Sequence, residues 1–241
     1  MTMVSKIWPD VTVSDMGLFT EYQQEVSQKL NYRVGIRGDL SQASAGDFSE
    51  GFQNFWGDEF RDKTSDFSFS GNLGLTYQLS TEVKAGASVA RGNRVPEFSE
   101  FYAFYFINQL DNYDYIGNPN LENEQNLNYE LSLDYQVSRL NAGVSLYHNT
   151  IENYITGRVL PGAEPRTMGV NGVKVYENLA RAQIQGAEAH WSIHLPASLH
   201  MIGNVSYAYG RDLDHNDPLP EIPPLESTVG IKYYNQHQDF W

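Results

Sequence analysis

Apolar and polar residues alternate along most of this chain, one position at a time. From Leu127 the odd positions read Leu127, Tyr129, Leu131, Leu133, Tyr135 and Val137, with Asn128, Glu130, Ser132, Asp134 and Gln136 between them. A period of two sends successive side chains to opposite faces of a β-strand, so this segment has one apolar and one polar face. The same alternation sets Leu30, Tyr32, Val34 and Ile36 against Asn31, Arg33, Gly35 and Arg37, and Phe67 to Leu79 against Asp66 to Gln78. It recurs over Val83–Val89, Leu140–Tyr147, Gly186–Leu195, Leu199–Tyr209 and Leu225–Tyr233, with a weaker first strand over Gly17–Val26. About nine strands are predicted. No helical period competes, so the expected class is all-β, without helices.

The connections alternate in length. Ser27–Lys29, Ser80–Glu82, Ser138-Arg139 and Pro196–Ser198 are short, whereas Ser41–Thr64, Val95–Asn126, Thr156–Gly172 and Arg211–Pro223 are long. In an antiparallel meander all tight turns then fall at one end and all long loops at the other. That asymmetry, with strands long enough to cross a bilayer at a tilt, suits an outer-membrane barrel with tight periplasmic turns and long outer loops. A soluble β-sandwich or small barrel also alternates, but its loops are mostly short and its strands nearer 5–6 residues.

Composition narrows the partners. Lys+Arg 16 against Asp+Glu 30 gives a net charge of −14 over 241 residues, which disfavours nucleic acid and anionic surfaces. Aromatic content of 13% and hydrophobic content of 41% argue against disorder. The longest apolar run is Phe101–Ile107, far short of a spanning helix, so any membrane crossing must use strands. With no cysteine there is no disulfide frame and no thiolate chemistry. Residues 1–6 lack the apolar core of a signal peptide.

Four stretches carry a resemblance. Ala90-Arg91-Gly92-Asn93-Arg94-Val95-Pro96-Glu97-Phe98-Ser99-Glu100-Phe101-Tyr102 resembles the "RGFRAPSLSELY" segment of TonB-dependent outer-membrane receptors. Gly117–Glu124 is similar to their "GNPxLxPE" loop end, Asn178–Glu188 to their "NxxxAxIxGxE" strand, and Leu219–Pro224 to their "LPxIPP". They occur in the family's order and cover the chain from about Gly17 to its end. Asn93 stands where the family usually has Phe and Asn123 where it has Pro; both fall at strand ends or in loops, where they are expected to leave the fold untouched. In physical terms, Pro96 ends a strand because it has no N–H to donate. Gly117-Asn118-Pro119 reads as a turn in which Gly is free for positive φ, and Gly186 within a strand marks close backbone approach.

The resemblance implies an antiparallel transmembrane β-barrel, here about nine strands of a larger one, in the bacterial outer membrane. It implies residues 1–241 as a partial barrel domain whose plug domain is missing, with residues 1–13 the tail of an outer loop. It also implies import of a scarce nutrient such as an iron–siderophore, haem, cobalamin or metal, with energy reaching the plug through TonB. The partners so implied are the plug, TonB, a metal chelate or other nutrient, and outer-membrane lipid. No cofactor is expected.

Candidate residues fall into a few groups. The loop Glu97–Asn126 crowds aromatics with polar tips, and Tyr102, Tyr105, Tyr113 and Tyr115 are the candidates for ligand contact; a membrane-interface girdle or self-packing of the loop is the competing reading. The polar strand faces offer Arg33, Arg37, Glu130, Asp134 and Glu188 as a lumen wall. His148, His190, His194, His200, His215 and His237 are scattered, and His190 and His194 lie about 13 Å apart along a strand, too far for one ion. Met1 and Met3 could offer thioethers to copper. Asp212/Asp214 and Glu122/Glu124 read as solvated loop acids. No metal site emerges, and no Ser/His/Asp set falls in register, so catalysis is not expected. A soluble all-β binding module and an outer-membrane barrel enzyme are the alternatives from other classes.

Overall fold

The computed structural model describes residues 8–235 and 238–240. Nine long strands form one antiparallel meander: β1 (Asp10–Glu25), β2 (Leu30–Gly46), β3 (Lys63–Gln78), β4 (Val83–Arg94), β7 (Glu124–Val137), β8 (Leu140–Val159), β9 (Val173–Leu195), β10 (Leu199–Asp212) and β11 (Glu226–Asn235). A hairpin of β5 (Phe104–Asn108) and β6 (Tyr113–Ile116) lies within the longest loop, and β12 (Gln238–Phe240) pairs with β11. Among the described residues the sheet is open, with β1 at one edge and β12 at the other.

Serine hydroxyls build the tight turns. Ser27 Oγ accepts from the Lys29 and Leu30 amides, and Ser80 Oγ from those of Glu82 and Val83. Ala197 and Ser198 both adopt φ 61° in the three-residue turn Pro196–Ser198 that returns β9 into β10.

At the other end the structure departs from the expected boundaries. Strands run further into the long connections: β2 reaches Gly46, β8 reaches Val159, and β1 starts at Asp10 instead of near Gly17, while β9 starts at Val173, where the expected loop ends. Residues 10–13 are therefore strand, and residues 1–7 lie outside the described part. Two short helices, α1 (Glu50–Trp56) and α2 (Phe98–Tyr102), interrupt the expected all-strand pattern. Neither is long or apolar enough to cross a membrane.

Register fixes the faces. The ladder sets Leu75, Ala87, Leu131 and Leu146 in one row and Thr76, Gly86, Ser132 and Ser145 in the next. The apolar face is uncovered: Leu18 is 82% exposed, Phe67 73% and Leu131 61%. A continuous exposed apolar face of this size marks contact with an apolar medium. On β7 it runs from Leu127 to Val137, ten steps or about 34 Å, which a 35–45° tilt reduces to about 26 Å, the height of an outer-membrane apolar band. Above this band the outer face turns polar at Gln42, Ser44, Ser65 and Lys63, in matching register.

Two glycines and one asparagine show how the sequence meets this geometry. Tyr147 lies across Gly186, where a Cβ would come 2.4 Å from its ring and from the Tyr207 carbonyl. Gly117 is needed for close approach to the Phe101–Tyr102 backbone (2.6 Å from a Cβ) and does not take the positive φ expected of it. Asn93 is not neutral to the fold. β3 and β4 pair only as far as Gly71 and Arg91, and beyond that point the Asn93 amide donates to the Phe69 carbonyl at 2.5 Å, taking the place of the missing ladder.

Candidate functional site: the outer loop layer

The long connections fold together into one layer over the strand ends. Phe52, Phe101, Tyr102, Phe104, Ile116 and Leu121 from the loops share a core with Ala45, Ile155, Val173 and Val175 from the strands. α1 begins where Ser49 Oγ accepts from the Phe52 amide and ends at Gly57, whose φ of 52° stops the turn. Its one buried face carries Phe52, edge-on to Phe104 at 5.7 Å. Trp56 Nε1 donates to the Gly117 carbonyl at 3.0 Å, and the Asn120 amide to the Glu59 carbonyl at 3.0 Å, tying this loop to the next.

Arg94 is the hub of the 95–123 loop. Its Nε and Nη2 form a two-pronged pair with Glu124 at 2.7 and 2.8 Å, and its Nη1 reaches Glu100 at 2.8 Å. Glu100 also accepts the Glu97 amide at 2.7 Å and so caps α2, while Glu124 accepts the Ile155 amide at 2.8 Å. One guanidinium thus fastens β4, α2, β7 and β8. The Glu124 hydrogen bonds raise the Arg94 pKa against the opposing effect of its burial.

The hairpin β5–β6 is held by two carboxylates. Asp111 takes Lys174 Nζ at 2.6 Å and the Tyr115 hydroxyl at 2.7 Å, with Lys174 4.5 Å above the Tyr113 ring. Burial, then the bond to Asp111, pushes the Tyr115 pKa far up. Asp114, fully buried, accepts the backbone amides of Arg166 and Thr167 at 2.7 and 2.9 Å. Arg166 stacks on Phe104 and Tyr105, 4.5 and 4.2 Å from their ring centres. β6 also pairs in parallel with β9 through Asp114–Ile116. The loop over 160–172 is therefore fixed to the hairpin by backbone and side chain alike.

A second strap closes beside β9 and β10. Leu219 is buried with Ile151 and Ala182, and Ile222 packs against them. Gly210 leaves room for both, since a Cβ there would meet Ile222 at 2.6 Å. Asp212 accepts the Asp214 amide at 2.8 Å and His215 Nδ1 at 2.7 Å. Burial raises the Asp212 pKa, but the bonds from His215 and the two backbone amides outweigh it and hold the group below its ordinary value. The same bond raises the His215 pKa.

Residues 5–241 match a family profile described as "TonB dependent receptor-like, beta-barrel". The chain belongs to the TonB-dependent receptor β-barrel family. It is 26% identical over 182 residues to a probable hemoglobin and hemoglobin-haptoglobin-binding protein 4 of Haemophilus influenzae, covering 70% of this chain and 18% of that protein. It is 28% identical over 116 residues to the vitamin B12 transporter BtuB of Photobacterium profundum (48% and 17%), and 25% identical over 183 residues to the ferric enterobactin receptor PirA of Pseudomonas aeruginosa (70% and 24%). The chain thus spans a quarter or less of these relatives. Among solved structures, the copper transporter OprC superposes with a TM-score of 0.74 at 20% identity, covering 94% of this chain and 33% of that one. The alcaligin receptor FauA of Bordetella pertussis gives 0.63 at 17%, covering 93% and 35%. The chain is part of an outer-membrane barrel, and its family consists of receptors and transporters rather than enzymes.

Within the receptor barrel the four candidate tyrosines occupy different places. Tyr102 and Tyr115 are inside the loop core, 1% and 4% exposed, and burial pushes the Tyr102 pKa up to about 12. Tyr105 and Tyr113 are half-buried, over Arg166 and Lys174 respectively. Tyr176, which the aromatic count of one loop could not find, joins them from β9, its ring tilted 43° against Tyr115 at 4.7 Å, while Tyr154 of β8 packs under the strap with Ile151 and Leu219. Arg33, Arg37, Glu130, Asp134 and Glu188 share the polar face with partners there: Arg37 with Asp39 at 2.5 Å, Lys84 with Asp134 at 3.7 Å. The acids expected to be solvated are not uniformly so. Glu124 and Asp212 are 9% and 5% exposed and bind the loops, a role that needs cross-strand partners invisible in sequence. Glu122 accepts the Asn153 amide. His194 meets His200 across the strands, rings stacked at 4.3 Å, rather than His190. Among the described residues no group of three His or carboxylate side chains could hold a metal. Met1, Met3 and His237 lie outside the described residues.

Proposed function

We propose that residues 1–241 form part of the barrel of a receptor that imports a metal-containing nutrient across the bacterial outer membrane. The plug domain, the remaining strands and the contact with TonB then come from the rest of that receptor. The observation that carries the reading is the family match over residues 5–241, joined to the apolar face that only a lipid environment satisfies. The relatives' names point to the nutrient class: haemoglobin, vitamin B12, ferric enterobactin and copper all contain or are metals.

Within the proposed site, Tyr105 and Tyr113 touch the ligand, and Tyr102 and Tyr115 position the hairpin from beneath. Arg33, Arg37, Glu130, Asp134 and Glu188 line the lumen. Half-exposed aromatics backed by cations suit a flat, anionic metal chelate, because the ring gives area and the cation gives charge. The test uses a strain lacking its other importers and supplied with haem, a ferric catechol chelate, cyanocobalamin or a copper salt as the limiting source. The intact receptor should support growth on one of them. The double change Tyr105→Ala/Tyr113→Ala should abolish that growth while the barrel still assembles, and Tyr102→Phe should keep it. Growth on none of the four, or unimpaired uptake by the double variant, would reject the reading.

A further inference from the structure

The outer face of β4 differs from its neighbours. Its outward column reads Val83, Ala85, Ala87, Val89 and Arg91, between larger columns on β3 (Tyr77, Leu75, Leu73) and β7 (Leu133, Leu131, Tyr129). The result is a groove of about 590 Å³ walled by Leu73, Leu75, Leu131 and Leu146, with Ala87 and Val89 as its floor. Its upper end is bordered by Tyr129 and His148, and the next outward row above it is Gly71–Arg91–Leu127–Thr150, where Gly71 provides no side wall. Arg91 is exposed there, bonded through Nη2 to Gln125 at 2.5 Å, with no carboxylate partner among the described residues. The nearest acid on this face is Glu152, one row higher and two strands away. The long loops lie just above, so this end belongs to the outer leaflet.

We propose that this groove seats one phosphate-bearing lipid of the outer leaflet, an acyl chain along β4 and its phosphate on the Arg91 guanidinium. Charge complementarity decides the occupant. A groove that ends in a guanidinium at headgroup height matches a tail joined to an anion, and a planar fork is the geometry that binds phosphate oxygens in pairs. The tail itself gains no hydrophobic transfer energy, since it comes from lipid and returns to lipid; it gains packing contacts only. Selectivity therefore rests on the headgroup, and one cation near the surface gives a preference of about fivefold for an anionic lipid.

The receptor carrying this barrel, purified in mild detergent, is incubated with bis-phosphorylated lipid A or with its dephosphorylated form and examined by native mass spectrometry. One retained lipid A is expected, preferred about fivefold over the dephosphorylated form. Arg91→Gln should remove the preference and Arg91→Lys keep most of it. Ala87→Phe, which fills the groove, should lower retention of both lipids; Ala87→Leu is the milder variant should Phe impair assembly. Folding of each variant is checked by heat-dependent migration on gels. Unchanged retention in Arg91→Gln and in the groove-filled variant would overturn the proposal, as would equal retention of the two lipids. So would a receptor dimer that disappears on filling the groove.

Discussion

Replacing Arg94 with Met keeps most of the side-chain volume and removes every donor from the hub. Three charge-assisted hydrogen bonds are lost, two to Glu124 and one to Glu100. Breaking a fully buried pair costs about 3–5 kcal/mol, because the partner charge is stranded. An exposed pair is worth about 0–1 kcal/mol. Here the two carboxylates are 12% and 14% exposed but the Arg94 side chain is 41% exposed, so water reaches one side of the pair. Glu100 and Glu124 each also keep one backbone amide. An intermediate cost of about 2–3 kcal/mol follows, and it falls on the 97–123 loop rather than on the whole barrel. Hydrogen exchange of the receptor in detergent would read this as about 30- to 150-fold faster exchange in peptides covering 97–123, with no change in peptides covering the tight-turn half of β7. Adding Glu124→Gln to Arg94→Met should recover part of the loss, because one of the two stranded carboxylate charges is then removed. Acceleration below about threefold, or equal acceleration throughout β7, would refute the account of Arg94 as a local fastener.

Two further expectations concern the face assignment and the strap. Leu131→Arg, near the centre of the apolar band, should cost about 2–4 kcal/mol of barrel stability, whereas Glu130→Ala on the opposite face should cost far less; a spin label at 131 that meets water while one at 130 meets lipid would invert the faces. The strap should respond to pH at both ends. His215 has a raised pKa in the folded state, so its contribution is complete below its ordinary value of 6.5 and is lost as pH rises through the raised value. Asp212 has a lowered one, so its contribution is complete above 3.8 and is lost as pH falls through the lowered value. Exchange protection of residues 212–222, corrected for intrinsic rates, should therefore peak in mild acid and fall on either side, and His215→Ala should flatten the alkaline limb. Protection that rises steadily toward alkaline pH would contradict the pairing.

The strands were legible where one face meets lipid and the other water, since a difference between the two faces writes a period of two into the sequence. Nine strands and the separation of short turns from long loops could be read from it. The alternation breaks above the membrane because one face is covered by the strap while Arg181 and Gln185 on the other stay exposed. Ile151, Ala182 and Ile184 sit on the parity that is polar lower down, and they are apolar because Leu219 and Ile222 fold over them. For that reason the alternation could be read only over Leu140–Tyr147 in β8 and Gly186–Leu195 in β9. α1 and α2, at seven and five residues, are too short to show a helical period and are held by packing and caps. The density of aromatics in the longest loop was visible. Which of them are buried was not, because burial of Tyr102 depends on Phe48 and that of Tyr115 on Tyr176, residues in other segments. The Arg94–Glu124 pair depends on strand register and cannot be found along the chain.

The anchoring of the 160–172 loop by Asp114 bears on how this surface can change over generations. The carboxylate grips main-chain amides, which every residue except proline supplies, so its hold is indifferent to most side chains that the loop presents. Thr167 can be exchanged without losing its bond, and Met168, almost wholly exposed, answers to nothing beneath it. A bacterial outer surface is exposed to phages and antibodies that read side chains. A loop fastened through its backbone can vary its outward signature while its path across the barrel stays the same; Arg166, committed to Phe104 and Tyr105, Asn171, whose side-chain amide donates to the Asp111 carbonyl, and Ala163, packed on the loop core, are withheld from that freedom.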